Sequence, residues 1–194
     1  AFVAYRTAYL KCHFKAEYFA SLMTGVLDNT AKITHYTAQC KKMGINLLPP
    51  SVNESFSGFT PEKGGIRFGL MAIKFLGAGV IDRLVLEREQ NGKYLSGYDF
   101  CLRNYSRELN RKALEGLVKS GALDCVEPNR RQMLYNIEGI LTAVEAEKRF
   151  SSQGQLNLFG EMDSVTTFQM EPMPEMDKDV KLSLEKEATG LYLS

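Results

Sequence analysis

The four cysteines, Cys12, Cys40, Cys101 and Cys125, contain no C-x-x-C pair. That removes zinc-ligand spacing and gives no disulfide framework. The two histidines, His13 and His35, stand apart, so no metal centre is expected. No apolar run approaches the roughly 20 residues that cross a bilayer, and no secretory leader is visible. The expectation is a cytoplasmic protein with no membrane partner. Once these classes are set aside, 44% hydrophobic and 24% charged residues describe an ordinary globular chain of one large domain or two small ones. The net charge of +1 hides a segregation. Residues 66–131 carry twelve Lys or Arg against eight Asp or Glu, while residues 160–194 carry three against eight. A basic middle with an acidic tail suits a polyanion-binding body followed by a self-repelling linker, and equally a solvated surface with no partner.

The stretch at 65–87, GIRFGLMAIKFLGAGVIDRLVLE, is the most informative. It predicts a strand, a short helix carrying Leu70, Ile73 and Lys74, a tight turn, and a longer helix from Val80. Gly77 and Gly79, one residue apart, permit positive φ and let backbone amides approach a partner with no Cβ between. Amides at the start of the following helix suit a phosphate. With Lys74 before and Arg83 after, the hairpin is a candidate phosphate clamp. The same spacing also suits an ordinary helical corner with a glycine C-cap.

On either side the grammar is mostly helical. Residues 2–10 predict a largely buried helix with Tyr5 and Tyr9 one turn apart. A second helix over 15–27 places Phe19, Leu22, Met23 and Val26 on one face. Asp28, Asn29 and Thr30 signal a cap for a third, which ends at Gly44 with Ile33, Tyr36, Thr37 and Cys40 inward. A strand over 45–48 is halted by Pro49 and Pro50, and Phe59–Thr60 with 66–68 predict a β-hairpin across a glycine turn. Ser96 can cap a short helix. Another, starting near Asn110 and closing at Gly121, carries Leu114, Leu117 and Val118, with basic residues and a glycine that echo the first hairpin. A long amphipathic helix then runs to Arg149, with Leu134, Ile137, Leu141 and Val144 on one face. Residues 160–178 lack periodicity and predict a linker, after which a helical pattern resumes. The chain starts at Ala1 and stops at Ser194 inside such patterns, so a piece of a longer protein is expected.

Several strings together resemble one family. They are AYRTAYLK (4–11), DNTAK (28–32), MGINLLPPSVNES (43–55), IRFGLMAIK (66–74), LNRKALEGLVKSGALD (109–124) and EKEATGLYLS (185–194). In this order, from end to end, they resemble the C-family replicative polymerases, the α subunits of bacterial DNA polymerase III. The resemblance implies a mainly α fold with a small β-hairpin. It implies the C-terminal part of the fingers over 1–50, a tandem helix-hairpin-helix unit over 51–150, a clamp-binding peptide and linker over 151–179, and over 180–194 the start of a segment leading to an OB-fold domain.

It further implies sequence-independent duplex binding through Lys74, Gly77, Ala78, Gly79, Arg83, Asn110, Arg111 and Lys112. Where the family's hairpin usually carries a glycine directly after the lysine, this chain has Phe75. Residues 155–159, QLNLF, resemble the sliding-clamp-binding peptide, with Gln155, Leu156, Leu158 and Phe159 as the contacts and Asn157 departing from the commonest choice. Other holoenzyme subunits are implied partners. The catalytic aspartates of the palm, and the Mg²⁺ they hold, would lie upstream. This stretch is therefore expected to contain no catalytic or metal residue and no cofactor of its own, and to lack nucleotidyl-transfer activity alone. The competing expectation is a stand-alone helix-hairpin-helix adaptor.

Overall fold

The computed structural model describes residues 2–152 and 168–193. Three helices come first: α1 (Phe2–His13), α2 (Lys15–Thr24) and α3 (Thr30–Lys42). The Asn29 side chain accepts from the Lys32 amide at 3.0 Å, which is the expected N-cap of α3. Helices α2 and α3 pack together, and Phe19, Met23, Ile33 and Cys40 are buried there. Contrary to the expectation for residues 2–10, α1 buries no residue, and Phe2, Val3 and Tyr5 are about 70% exposed. Apolar composition predicts burial only where a second surface is present, and α1 makes its main contact with α2.

The expected hairpin and the expected strand form one sheet. Strands β1 (Asn46–Leu48), β2 (Thr60–Glu62) and β3 (Gly65–Arg67) lie in the order β1-β3-β2, with β2–β3 antiparallel and β1–β3 parallel. Ile66 and Phe68 point their apolar surface inward, Phe68 edge-on to Phe59 at 5.0 Å between ring centroids.

Five more helices follow: α4 (Ala78–Asn91), α5 (Gly97–Arg103), α6 (Arg111–Lys119), α7 (Arg130–Ser152) and α8 (Lys178–Thr189). Ser96 caps α5 by accepting from the Asp99 amide. Ile81, Leu84, Phe100, Leu114, Leu117, Ile137, Ile140 and Val144 are buried and belong to one continuous core. Tyr94 is buried among them because its hydroxyl donates to the Leu84 carbonyl at 2.8 Å. Among the described residues, no helix is long and apolar enough to cross a membrane.

The expected linker is corrected over its described part. Residues 168–176 lie along α7 instead of standing free. Asn136 accepts from the Glu171 amide at 2.9 Å and donates to the Glu171 carbonyl at 3.0 Å, and Asn129 donates to the Met173 carbonyl. Phe168 stacks on Tyr98 with centroids 6.1 Å apart. Side-chain amides holding backbone leave no apolar period to read, which is why the sequence resembled a tether. The clamp-peptide positions Gln155, Leu156, Leu158 and Phe159 fall outside the described residues.

From this strap the chain enters α8, which is fastened by buried charge. Arg130, 5% exposed, donates to Glu185, 1% exposed, at 3.0 Å, and to Asp124 at 2.7 Å. The second Glu185 oxygen accepts from the Leu193 amide at 2.8 Å. Removing one partner of such a pair strands the other charge in the interior, at about 3–5 kcal/mol. Glu185→Ala should therefore lower the urea-unfolding free energy by about 3 kcal/mol, the retained Asp124 holding the loss to the lower end of that range. A loss below about 1 kcal/mol would show that the pair does not fasten α8.

Candidate nucleic-acid interface

The first hairpin departs from its expected backbone in two ways. The short helix over Leu70, Ile73 and Lys74 is a single 3₁₀ turn, Leu70–Ala72. The positive φ belongs to Phe75, at +66°, and not to Gly77, whose φ is −85°, nor to Gly79, which sits in the first turn of α4. A non-glycine residue held there costs on the order of 1–2 kcal/mol. Three contacts hold the turn in place. Leu76 is buried, the Lys74 amide donates to the Ala188 carbonyl of α8 at 2.9 Å, and α6 presses close at Gly116, where a Cβ would lie 2.8 Å from the Lys74 carbonyl oxygen.

Beyond the turn, Gly77, Ala78 and Gly79 are exposed, and among the described residues no side chain caps α4. A Cβ on Gly77 would meet nothing within 4 Å, and the first turn of this 14-residue helix is exposed with no side-chain cap for its amides among the described residues. Lys74 and Arg83 are exposed on either side, and neither is in an ion pair among the described residues. One carboxylate borders the opening. A Cβ on Gly79 would lie 2.9 Å from Glu108 Oε2, so glycine at that position makes room for Glu108 and is not there for a left-handed backbone.

The second hairpin, α6 to α7 with Gly121 at φ +81°, has its polar groups engaged. Asn110 accepts from the Ala113 amide at 3.0 Å and is the N-cap of α6. Arg111 pairs with Glu115 at 2.7 Å and with Glu138. Of the three residues expected here as phosphate contacts, Lys112 alone has a side chain in no hydrogen bond or ion pair among the described residues, and it is exposed. It shares a cleft with Phe75, Glu115, Gly116, Lys119, Glu187 and Ala188. The N-terminus of α7 is filled by Glu175, which accepts from the Arg130 amide at 3.2 Å and pairs with Lys181 at 2.8 Å. Burial would raise the Glu175 carboxyl. Lys181 and the amides of Met176, Arg130 and Arg131 outweigh it and hold the group below the usual carboxylate range.

Sequence reasoning singled out Phe75 without foreseeing its positive φ, and it missed Glu108, Glu175 and Ala188. Phe75 carried a signal, standing where related hairpins have glycine. The others reach the hairpins from distant or irregular segments. Among the described residues no three His, Cys, Asp or Glu side chains converge as a metal site.

A family described as the helix-hairpin-helix motif matches residues 44–133. The chain is 36% identical over 196 residues to DNA polymerase III subunit alpha of Borreliella burgdorferi, covering 99% of this chain and 17% of that protein. To the same-named subunit of Neisseria meningitidis serogroup B it is 37% identical over 196 residues, and to that of Escherichia coli K12 34% over 201, in each case with 100% of this chain and 17% of the relative covered. The chain thus spans about a sixth of the length of these curated relatives.

The open N-terminus of α4 has a direct test. Gly77→Asp supplies a capping carboxylate in a backbone conformation that aspartate adopts freely. Thermal stability should hold or rise by up to about 1 kcal/mol. Duplex DNA affinity, read by fluorescence anisotropy, should fall by about tenfold or more as the carboxylate displaces phosphate. Unchanged affinity would exclude these amides as the contact.

Proposed function

We propose, for a chain that belongs over its whole length to the DNA polymerase III α-subunit family, that it grips duplex DNA by the phosphate backbone and tethers the polymerase to its sliding clamp. The observation that carries the DNA reading is the uncapped, exposed start of α4 between the unpaired cations Lys74 and Arg83. A phosphate oxygen placed there accepts from the amides at Gly77, Ala78 and Gly79 and meets the positive end of the helix dipole. Lys74, Arg83 and Lys112 add charge around it. Phosphates carry no base information, so binding is indifferent to sequence. Similarity on both sides of the helix-hairpin-helix match favours a polymerase segment over a free-standing adaptor.

Nucleotidyl transfer, with its Mg²⁺ ions, is assigned in this reading to parts of the polymerase outside this chain, and a cytoplasmic location and further holoenzyme partners follow from the same assignment. The clamp reading rests on residues 155–159. Gln155 would fix register, and Leu156, Leu158 and Phe159 would enter an apolar groove on the clamp. Each such side chain contributes about 1.5–3 kcal/mol when fully buried, part of it offset by ordering the segment. Micromolar affinity suffices where both partners sit on one DNA.

Two measurements test the proposal. In a salt titration of duplex binding, Lys74→Ala and Arg83→Ala should each reduce the slope of log K against log salt by about 0.9, whereas Arg111→Ala should reduce it less, its guanidinium being engaged already. Salt-independent binding, or an about tenfold preference between unrelated duplexes, would refute the phosphate grip. For the clamp, alanine at both Leu158 and Phe159 should abolish binding to the isolated ring and leave the thermal midpoint in place. A lowered midpoint with clamp affinity intact would mean that the pair packs on its own domain.

A further inference from the structure

Phe75 is the one non-glycine residue with positive φ among the described residues, and its side chain is 67% exposed. These two facts pull against each other. A strained backbone is ordinarily tolerated because the side chain gains buried contact, yet this ring lies largely in solvent. Glycine or asparagine would fit the same backbone without strain. The turn that presents the ring is rigidly held, by the Lys74 amide on the Ala188 carbonyl, by Gly116 against the Lys74 carbonyl, and by buried Leu76 directly after it. Lys74 precedes the ring in the chain, Lys112 shares its cleft together with Glu115 and the paired Lys119 and Glu187, and two residues further on the exposed start of α4 begins.

The setting is an exposed apolar ring between Lys74 and Lys112, two residues before the uncapped start of α4. Duplex DNA offers apolar surface next to its phosphates at the deoxyribose edges, which can be reached without unstacking a base. Two residues of chain span at most about 7 Å, so a ring at Phe75 and a phosphate at Gly77 belong to neighbouring positions on one strand. We propose that Phe75 is a direct DNA-contact residue, its ring packing on the deoxyribose next to the phosphate bound by the α4 amides. This rests on the phosphate-grip reading above and adds an apolar, sequence-indifferent component to it. The strained backbone is the geometry that turns the ring outward on that side.

The test uses the 194-residue chain with Phe75→Gly and Phe75→Asn, both suited to the left-handed backbone, so folding is preserved. Each variant should keep or raise the thermal midpoint. Each should bind duplex DNA about fivefold or more weakly at every salt concentration, with the slope of log K against log salt unchanged, because the ring neutralises no phosphate. A lowered midpoint with unchanged affinity would overturn the proposal and make the ring a brace between α6 and α8. A reduced slope would overturn it too, by showing that the variants disturb the phosphate site itself. If the unaltered chain binds with the expected salt slope and the variants match it, this inference alone fails. If the unaltered chain does not bind duplex at all, the phosphate-grip reading fails with it.

Discussion

The buried contact between Arg130 and Glu185 ties the last helix of this structure to the start of α7. Arg130 begins α7, and Glu185 lies in the middle of α8. Their charges leave water together, and each has a further partner, Asp124 for the guanidinium and the Leu193 amide for the carboxylate. Such a pair gives little net stability over apolar packing but tolerates few alternative arrangements. It sets the position of α8, and α8 carries the Ala188 carbonyl that accepts from Lys74. A charge pair in the second hairpin is thereby linked to the backbone of the first.

The two hairpins share a local design and differ in what meets their helix N-termini. Both turn through a positive φ, at Phe75 and at Gly121, beside a lysine. At α4 the amides are left open to solvent, with Glu108 at one side. At α7 the chain brings back Glu175, and the helix dipole is satisfied internally. The second hairpin therefore serves as the seat for the acidic strap over 168–176, while the start of α4 stays exposed.

The basic surplus of the middle segment divides in the same way. Arg67 is engaged by Glu54 and Glu62, Arg103 by Glu87 and Asp99, Arg111 by Glu115 and Glu138, and Arg130 by Asp124 and Glu185. Arg88 lies buried over Phe56 and donates to the Val52 carbonyl. The planar, multi-donor guanidinium is suited to such internal bridging. Lys74, Arg83 and Lys112 are by contrast exposed and in no ion pair among the described residues. Composition gives the count of charges, while tertiary contacts decide which of them a polyanion can meet.

The sequence by itself determined the elements with local causes. The caps at Asn29, Ser96 and Asn110, the stop at Gly44, the hairpin around Gly64 and the apolar faces of α2, α3, α6 and α7 rest on interactions within a few residues. The start of α4, expected at Val80 and found at Ala78, was legible to within two residues for the same reason, and so were Lys74 and Arg83 flanking it. Tertiary structure alone decided the exposure of α1, whose apolar side chains predict burial only if a surface is there to receive them. It decided that residues 168–176 pack on α7 through the side-chain amides of Asn129 and Asn136, which leave no periodic trace. It placed the positive φ at Phe75, although Gly77 and Gly79 were the obvious candidates. The reason is physical: the turn's dihedrals are set by contacts from Gly116 and Ala188, and those lie far along the chain, beyond the reach of any local pattern.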